Sequence, residues 1–327
     1  MMAIAPQRAM TSREWGLLVL LSLLWGGSFF FIGVAVKELP PLTLVALRVG
    51  LAAVLLWTFA PILGARLPKS AHALAALAIL GFGNNAVPFA LIAWGQTRLP
   101  SGLAAILNAA TPLFSVVAAH FLTAEEKLSR LKIIGAVAGF AGVLWLIGPN
   151  LATGAGADLW AELAVLGGAL SYALSAIYGR RMRALGLKPI DVATGQATAA
   201  TLFLAPLAFM IDRPWTLPTP SAGAIASVLA LAAFSTALAY VVYFRILAGA
   251  GATNVLLVTL LVPATSVVLG ALFLSERLGA RQFLGFGLVA LGLAFIDGRL
   301  PRSLVRKVRN ADGTSSHFRL PLGKEPR

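Results

Sequence analysis

Residues 111–148 read TPLFSVVAAHFLTAEEKLSRLKIIGAVAGFAGVLWLIG, and residues 262–298 read VPATSVVLGALFLSERLGARQFLGFGLVALGLAFIDG. The second stretch repeats the first. Pro112 falls on Pro263 at an offset of 151, and after one slipped residue Glu126, Leu128, Gly135, Gly142 and Gly148 fall on Glu276, Leu278, Gly285, Gly292 and Gly298. The match extends backwards from there. At 151, Asn84-Asn85 falls on Ser235-Thr236 and Phe89 on Tyr240; at 148, Pro41 and Arg48 fall on Pro189 and Gln196; at 147, Trp25 and Ser28 fall on Tyr172 and Ser175. The matched residues keep their order with a drift of only four positions, which argues against chance similarity between glycine- and alanine-rich segments.

The repeated material is apolar. Of 327 residues, 59% are hydrophobic and 12% charged, and the mean hydropathy is +0.87. A soluble domain carries about 25% charged residues and a disordered chain has low hydrophobicity, so both are excluded. Ten runs are apolar enough to be helices crossing a bilayer: Trp15 to Val36, Leu42 to Leu63, Ala73 to Gln96, Ser101 to Phe121, Ile133 to Ile147, Trp160 to Tyr178, Ile190 to Ile211, Ser221 to Tyr243, Ala252 to Leu274 and Phe283 to Ile296. The fifth and tenth are short and glycine-rich. No run shows the period-two alternation of a membrane barrel strand. The expectation is an all-α integral membrane protein of ten transmembrane helices.

Charge sets the expected orientation. The net charge is +14, but the cations collect in the gaps between apolar runs, a membrane pattern rather than a nucleic-acid one. With the N-terminus inside, twelve Lys and Arg fall in cytoplasmic segments before the tail and five in external loops. The tail beyond Asp297 adds eight more. Both termini are therefore expected in the cytoplasm. Five helices per copy is an odd number, so the second copy enters the membrane from the opposite side. Inverted repeats of this kind typify secondary transporters, whose sites lie near the midplane between the halves.

Leu24-Trp25-Gly26-Gly27-Ser28-Phe29, Leu39-Pro40-Pro41 and Ala46-Leu47-Arg48 open the first copy. Pro112 with Glu126-Lys127-Leu128 and Gly135 closes it, and Pro263 with Leu274-Ser275-Glu276-Arg277-Leu278 and Gly285 closes the second. In these motifs, their order and their duplication, the chain resembles EamA-like members of the drug/metabolite transporter superfamily. The resemblance implies two EamA-like five-helix repeats, residues 1–150 and 151–298, followed by a basic cytoplasmic tail, residues 299–327. It further implies a multi-pass protein of the bacterial cytoplasmic membrane that exports or exchanges small metabolites, amino-acid-like or amphipathic.

Candidate cavity residues follow from polarity inside the runs. Asn84 and Asn85, with Ser235 and Thr236 opposite, place amides and hydroxyls near mid-helix, where they either line a pathway or hold helices together. Asn108 and Thr259 read the same way. Trp25, Tyr172, Tyr240 and Tyr243 offer large surfaces with hydrogen-bonding tips, and Ser28 and Ser175 accompany them on their helices. Pro112 and Pro263 each remove a backbone donor in mid-helix and are expected to kink it. Arg48 is the one formal charge well inside a span; it meets an anionic substrate or reaches back to the outer interface. Glu14 and Glu162 are placed at the starts of helices 1 and 6, and Glu126 and Glu276 at those of helices 5 and 10, as caps.

Other chemistries lack their residues. The chain has no cysteine, no phosphate-binding Gly-x-x-x-x-Gly-Lys loop and no His-Glu-x-x-His zinc site. No cofactor, metal or nucleic acid is expected; the expected partners are a small-molecule substrate, the lipid bilayer and a second copy in a homo-oligomer. The rival reading is an integral-membrane enzyme acting on a lipid-linked substrate, which would need Asp, Glu or His groups converging at one membrane face.

Overall fold

Thr11 starts the first helix. Its hydroxyl accepts the Glu14 N–H at 3.3 Å while the Glu14 carboxylate accepts the Thr11 N–H at 2.7 Å, a reciprocal cap that satisfies two otherwise orphaned donors. The computed structural model describes residues 10–124, 126–152, 156–255 and 257–297, so the tail expected over 299–327 lies outside the described residues. Every regular element among them is helical.

Eight helices are long and apolar enough to cross a membrane: α1 (Ser12–Ala35), α2 (Pro41–Thr58), α3 (Ala71–Gly95), α4 (Ser101–Leu122), α5 (Arg130–Ala152), α6 (Asp158–Ala184), α7 (Pro189–Ile211) and α8 (Ala222–Ala250). Two shorter apolar helices complete the bundle, α9 (Val258–Phe273) and α10 (Ala280–Ile296). The expectation of a short fifth helix is corrected here, since α5 runs 23 residues. The ninth is shorter than its apolar run, because residues Ala252–Val255 form a separate turn of helix before α9. In α4 the helix breaks at Ala109–Ala110, and Pro112 takes the second position of the following half, Thr111–Leu122. There its missing N–H costs nothing. Pro263 instead lies inside α9.

Packing respects the repeat. Helix α1 packs on α8 and α9, and its equivalent α6 packs on α3 and α4; α2 packs on α8 as α7 packs on α3. The pairs α2–α7, α4–α9 and α5–α10 map onto themselves. In α5 and α10 the reason is glycine. A Cβ on Gly135 would lie 2.6 Å from the carbonyl oxygen of Gly292, and one on Gly142 2.8 Å from that of Gly285. Gly135 corresponds to Gly285 and Gly142 to Gly292, so exchanging the copies exchanges these two contacts. Their order along the chain also makes the two helices antiparallel.

Carboxylates at the helix ends join the copies. Glu38, between α1 and α2, accepts Ser221 Oγ and the Ser221 N–H, both at 2.6 Å, at the start of α8. These two bonds hold the Glu38 carboxyl below its ordinary value. Asp212, ending α7, accepts Thr43 N–H at 2.7 Å in the first turn of α2, and Asp191 accepts Arg66 N–H at 2.7 Å. Glu276 corrects its expected role as the cap of α10: it accepts Ser101 N–H and Ser101 Oγ, both at 2.8 Å, and so caps α4. Glu126 pairs with Arg180 at 2.9 Å. Each bond joins ends that alternating helices place on one face. The face holding Ser12 is called the near face below, and the opposite one the far face.

The glycine contacts give a direct test by thermal unfolding in detergent. Gly135→Ala forces a Cβ onto backbone and should cost about 1–3 kcal/mol. A Cβ on Gly148, in the same helix, would meet nothing within 4 Å, so Gly148→Ala should be neutral or stabilise by about 0.5–1 kcal/mol. Equal melting temperatures for the two variants would contradict the packing described.

Candidate functional site

Asn84 and Asn85 sit in a widened turn. Residues Phe82–Ala86 of α3 and Ala233–Leu238 of α8 are π-helical, and the two turns start 151 residues apart, at the offset of the repeat. A π turn lengthens the hydrogen-bond step and disturbs the carbonyl ladder. Hydroxyls repair it here: Thr236 Oγ1 donates to the Leu231 carbonyl at 2.8 Å, and Ser171 Oγ of α6 donates to the Gly83 carbonyl at 2.6 Å. Close approach needs Gly81, whose Cβ would lie 2.6 Å from the backbone oxygen of Gln196.

The polar side chains then cross between copies. Arg48 Nε of α2 donates to Thr236 Oγ1 at 3.0 Å, and Asn84 Nδ2 donates to Gln196 Oε1 of α7 at 3.1 Å. Because Arg48 corresponds to Gln196 and Asn84-Asn85 to Ser235-Thr236, each copy sends one polar residue into the π turn of the other. Tyr240 donates its hydroxyl to Asn85 Oδ1 at 3.0 Å. The Arg48 guanidinium carbon lies 3.7 Å from the centre of the Phe89 ring, and Tyr172 meets the same ring edge-on at 6.3 Å between centroids.

Arg48 is only 4% exposed. Its head group is turned into the bundle, not back toward the far face. Removing a cation from water costs several kcal/mol even after relaxation. Stacking on a desolvated aromatic ring returns about 2 kcal/mol, and one charged hydrogen bond about 1.5–3 kcal/mol. Those terms reduce the cost but leave the charge uncancelled, since among the described residues no carboxylate forms an ion pair with Arg48.

The layer therefore unites Arg48, Asn84, Asn85, Tyr172, Thr236 and Tyr240. Trp25 and Tyr243 pair with each other at 5.5 Å between ring centroids. Ser175 is buried beside the first π turn, its Oγ 2.6 Å from where a Cβ on Gly83 would stand. Ser28 and Ser235 are buried. Asn108 ends the first half of α4, its carbonyl accepting Thr111 Oγ1 at 2.7 Å, and Thr259 lies in the first turn of α9. Two members escaped the sequence reading as site residues, Gln196 and Phe89. Both were visible as the repeat partners of Arg48 and Tyr240. Apart from the layer, a pocket of about 290 Å³ opens on the far face, lined by Gly33, Lys37, Gln96, Arg98, Leu274 and Glu276 among others.

Comparison with known proteins places this arrangement. The model of the EamA-like transporter family matches residues 14–148 and again 159–297. The uncharacterized inner membrane transporter YedA of Escherichia coli K12 is 28% identical, over 86% of this chain and 89% of its own. Another protein of that strain, named "probable amino-acid metabolite efflux pump", is 30% identical over 86% of this chain and 94% of its own. A crystal structure superposes with a TM-score of 0.61 at 19% identity, over 88% of this chain and 98% of that one, a likeness of fold. With the family model matched twice across the helical bundle, the chain belongs to the EamA-like transporter family.

Proposed function

We propose that this protein is a secondary transporter that exports or exchanges a small metabolite across the cytoplasmic membrane by alternating access. It crosses the membrane ten times as two inverted five-helix repeats, with both termini in the cytoplasm, and the layer between the π turns is its substrate site. The observation that carries the reading is the crosswise exchange of Arg48–Thr236 and Asn84–Gln196. A site assembled from equivalent residues of two copies lies on the axis that relates them, where two pseudo-equivalent arrangements can open to either face in turn.

Three further facts support it. The near face, which carries Arg66, Lys69, Lys127, Arg130, Lys132, Arg180, Arg181, Arg183 and Lys188, outweighs the far face in cations, as the positive-inside rule requires of a cytoplasmic side. Relatives bear the names of an inner membrane transporter and an amino-acid metabolite efflux pump, which favours export of a small metabolite. Glu38, Asp212 and Glu276 are spent as helix caps and Asp191 holds the backbone of the loop at Arg66, which disfavours the converging acid groups of a lipid-modifying enzyme.

An untargeted comparison of extracellular metabolites checks the reading. Cells expressing the parent should accumulate at least one solute outside that cells expressing an Asn85→Ala, Thr236→Ala double variant at matched levels do not. A double variant that exports as the parent does would remove the layer from the pathway. Single cysteines in the cysteine-free chain fix the orientation: an impermeant thiol reagent added to whole cells should label Thr97→Cys and spare Lys69→Cys. The reverse pattern would invert the proposed topology.

A further inference from the structure

Hydrogen-bonding groups around Arg48 are unbalanced. Arg48 uses Nε on Thr236, and its remaining N–H groups donate to none of the described residues. Asn85 is fully buried; its Oδ1 accepts Tyr240 Oη, while its Nδ2 is buried without a partner among the described residues. The Tyr172 hydroxyl likewise bonds to none of them, and its ring meets Phe89, the ring against which the guanidinium lies. Three acceptors of the layer are already engaged, Thr236 Oγ1 by Arg48, Gln196 Oε1 by Asn84 and Asn85 Oδ1 by Tyr240, which leaves Asn84 Oδ1 against the several free N–H and O–H groups. What remains around Phe89 is one uncancelled positive charge and a surplus of donors.

Resting on the transporter reading above, we propose that the layer receives the carboxylate of a monoanionic organic solute, with Arg48 as its charge partner and Tyr172 and Asn85 as further donors. An ionised carboxylate only accepts hydrogen bonds and so complements a set of free donors. Its planar pair of oxygens matches the guanidinium fork. A single negative charge brings the layer to neutrality. A dianionic phosphate would overshoot and leave a net negative charge in the same apolar surroundings, and a cation or an amine would add to the charge present. The Phe89 ring against the guanidinium, with Tyr172 edge-on to it and Tyr240 bonded to Asn85, offers apolar contact to the remainder of the solute.

The test is the thermal stability of the purified full-length protein in detergent with matched probes: a series of monocarboxylates from acetate to 3-phenylpropionate, each against its own carboxamide. A ligand that binds the folded state raises the melting temperature, with the logarithm of its concentration relative to its Kd. At least one carboxylate should stabilise the parent where its amide does not. Arg48→Gln, which installs the residue found at the equivalent position of the second copy, should weaken that effect by about tenfold or more. Arg48→Lys, which keeps the charge and loses the fork, should fall between. If Arg48→Gln does not fold, Tyr172→Phe carries the test, since it deletes one donor while keeping the ring; it should weaken the carboxylate effect and leave the response to amides unchanged. Carboxylates that never exceed their amides, or a carboxylate effect that survives both Arg48→Gln and Tyr172→Phe, would overturn the assignment. That failure would leave the transporter reading standing, because the export comparison makes no use of solute charge.

Discussion

A guanidinium held in an apolar bundle, with no carboxylate among the described residues paired to it, is the constraint on which this structure turns. Arg48 is 4% exposed, and in hydrocarbon every polar group must find its partner inside the protein. The fold meets part of that demand with geometry rather than countercharge. A π turn in α8 presents the Thr236 hydroxyl to Nε, and a ring from α3 lies against the guanidinium. The second copy solves the same problem with an uncharged residue, Gln196 against Asn84. Duplication thus kept the crossing, shifted by one residue because Thr236 corresponds to Asn85, and changed its electrostatics, leaving one copy charged and the other neutral.

The acidic residues serve a different purpose. Glu38, Asp191, Asp212 and Glu276 each accept N–H groups from the opposite copy at the membrane faces. Carboxylates are favourable at helix N-termini, where unpaired N–H groups and the helix dipole meet them. Placing them there keeps negative charge out of the middle of the bundle. Arg48 is therefore left without a carboxylate partner among the described residues, and bonds that tie the copies together at both faces are kept apart from the layer between them. The paired glycines of α5 and α10 add a third join, in which backbone lies against backbone.

Much of this was legible in the sequence. Ten apolar runs, the repeat and its drift from 147 to 151 gave the helices and their pairing, and the cluster Asn84-Asn85 against Ser235-Thr236 located the layer. Three features were not legible, each for a physical reason. The π turns leave no periodicity of their own, because one inserted residue in a uniformly apolar helix changes no pattern; only Ser171 and Thr236, which repair the ladder, mark them. Glu276 precedes a helix in sequence and caps another 175 residues away, a choice made by tertiary packing. Pro112 and Pro263 are equivalent in sequence, but one opens a half-helix while the other is embedded in α9.

The central claim is that the layer between the π turns is a pathway opened to each face in turn, and access to Asn84 tests it most directly. In the cysteine-free chain, a single Asn84→Cys can be treated with an impermeant thiol reagent in right-side-out and in inverted membrane vesicles. The account predicts labelling from both faces, each slower than that of a loop cysteine on the same face. Labelling from one face alone, or from neither while the loop cysteines react, would contradict it.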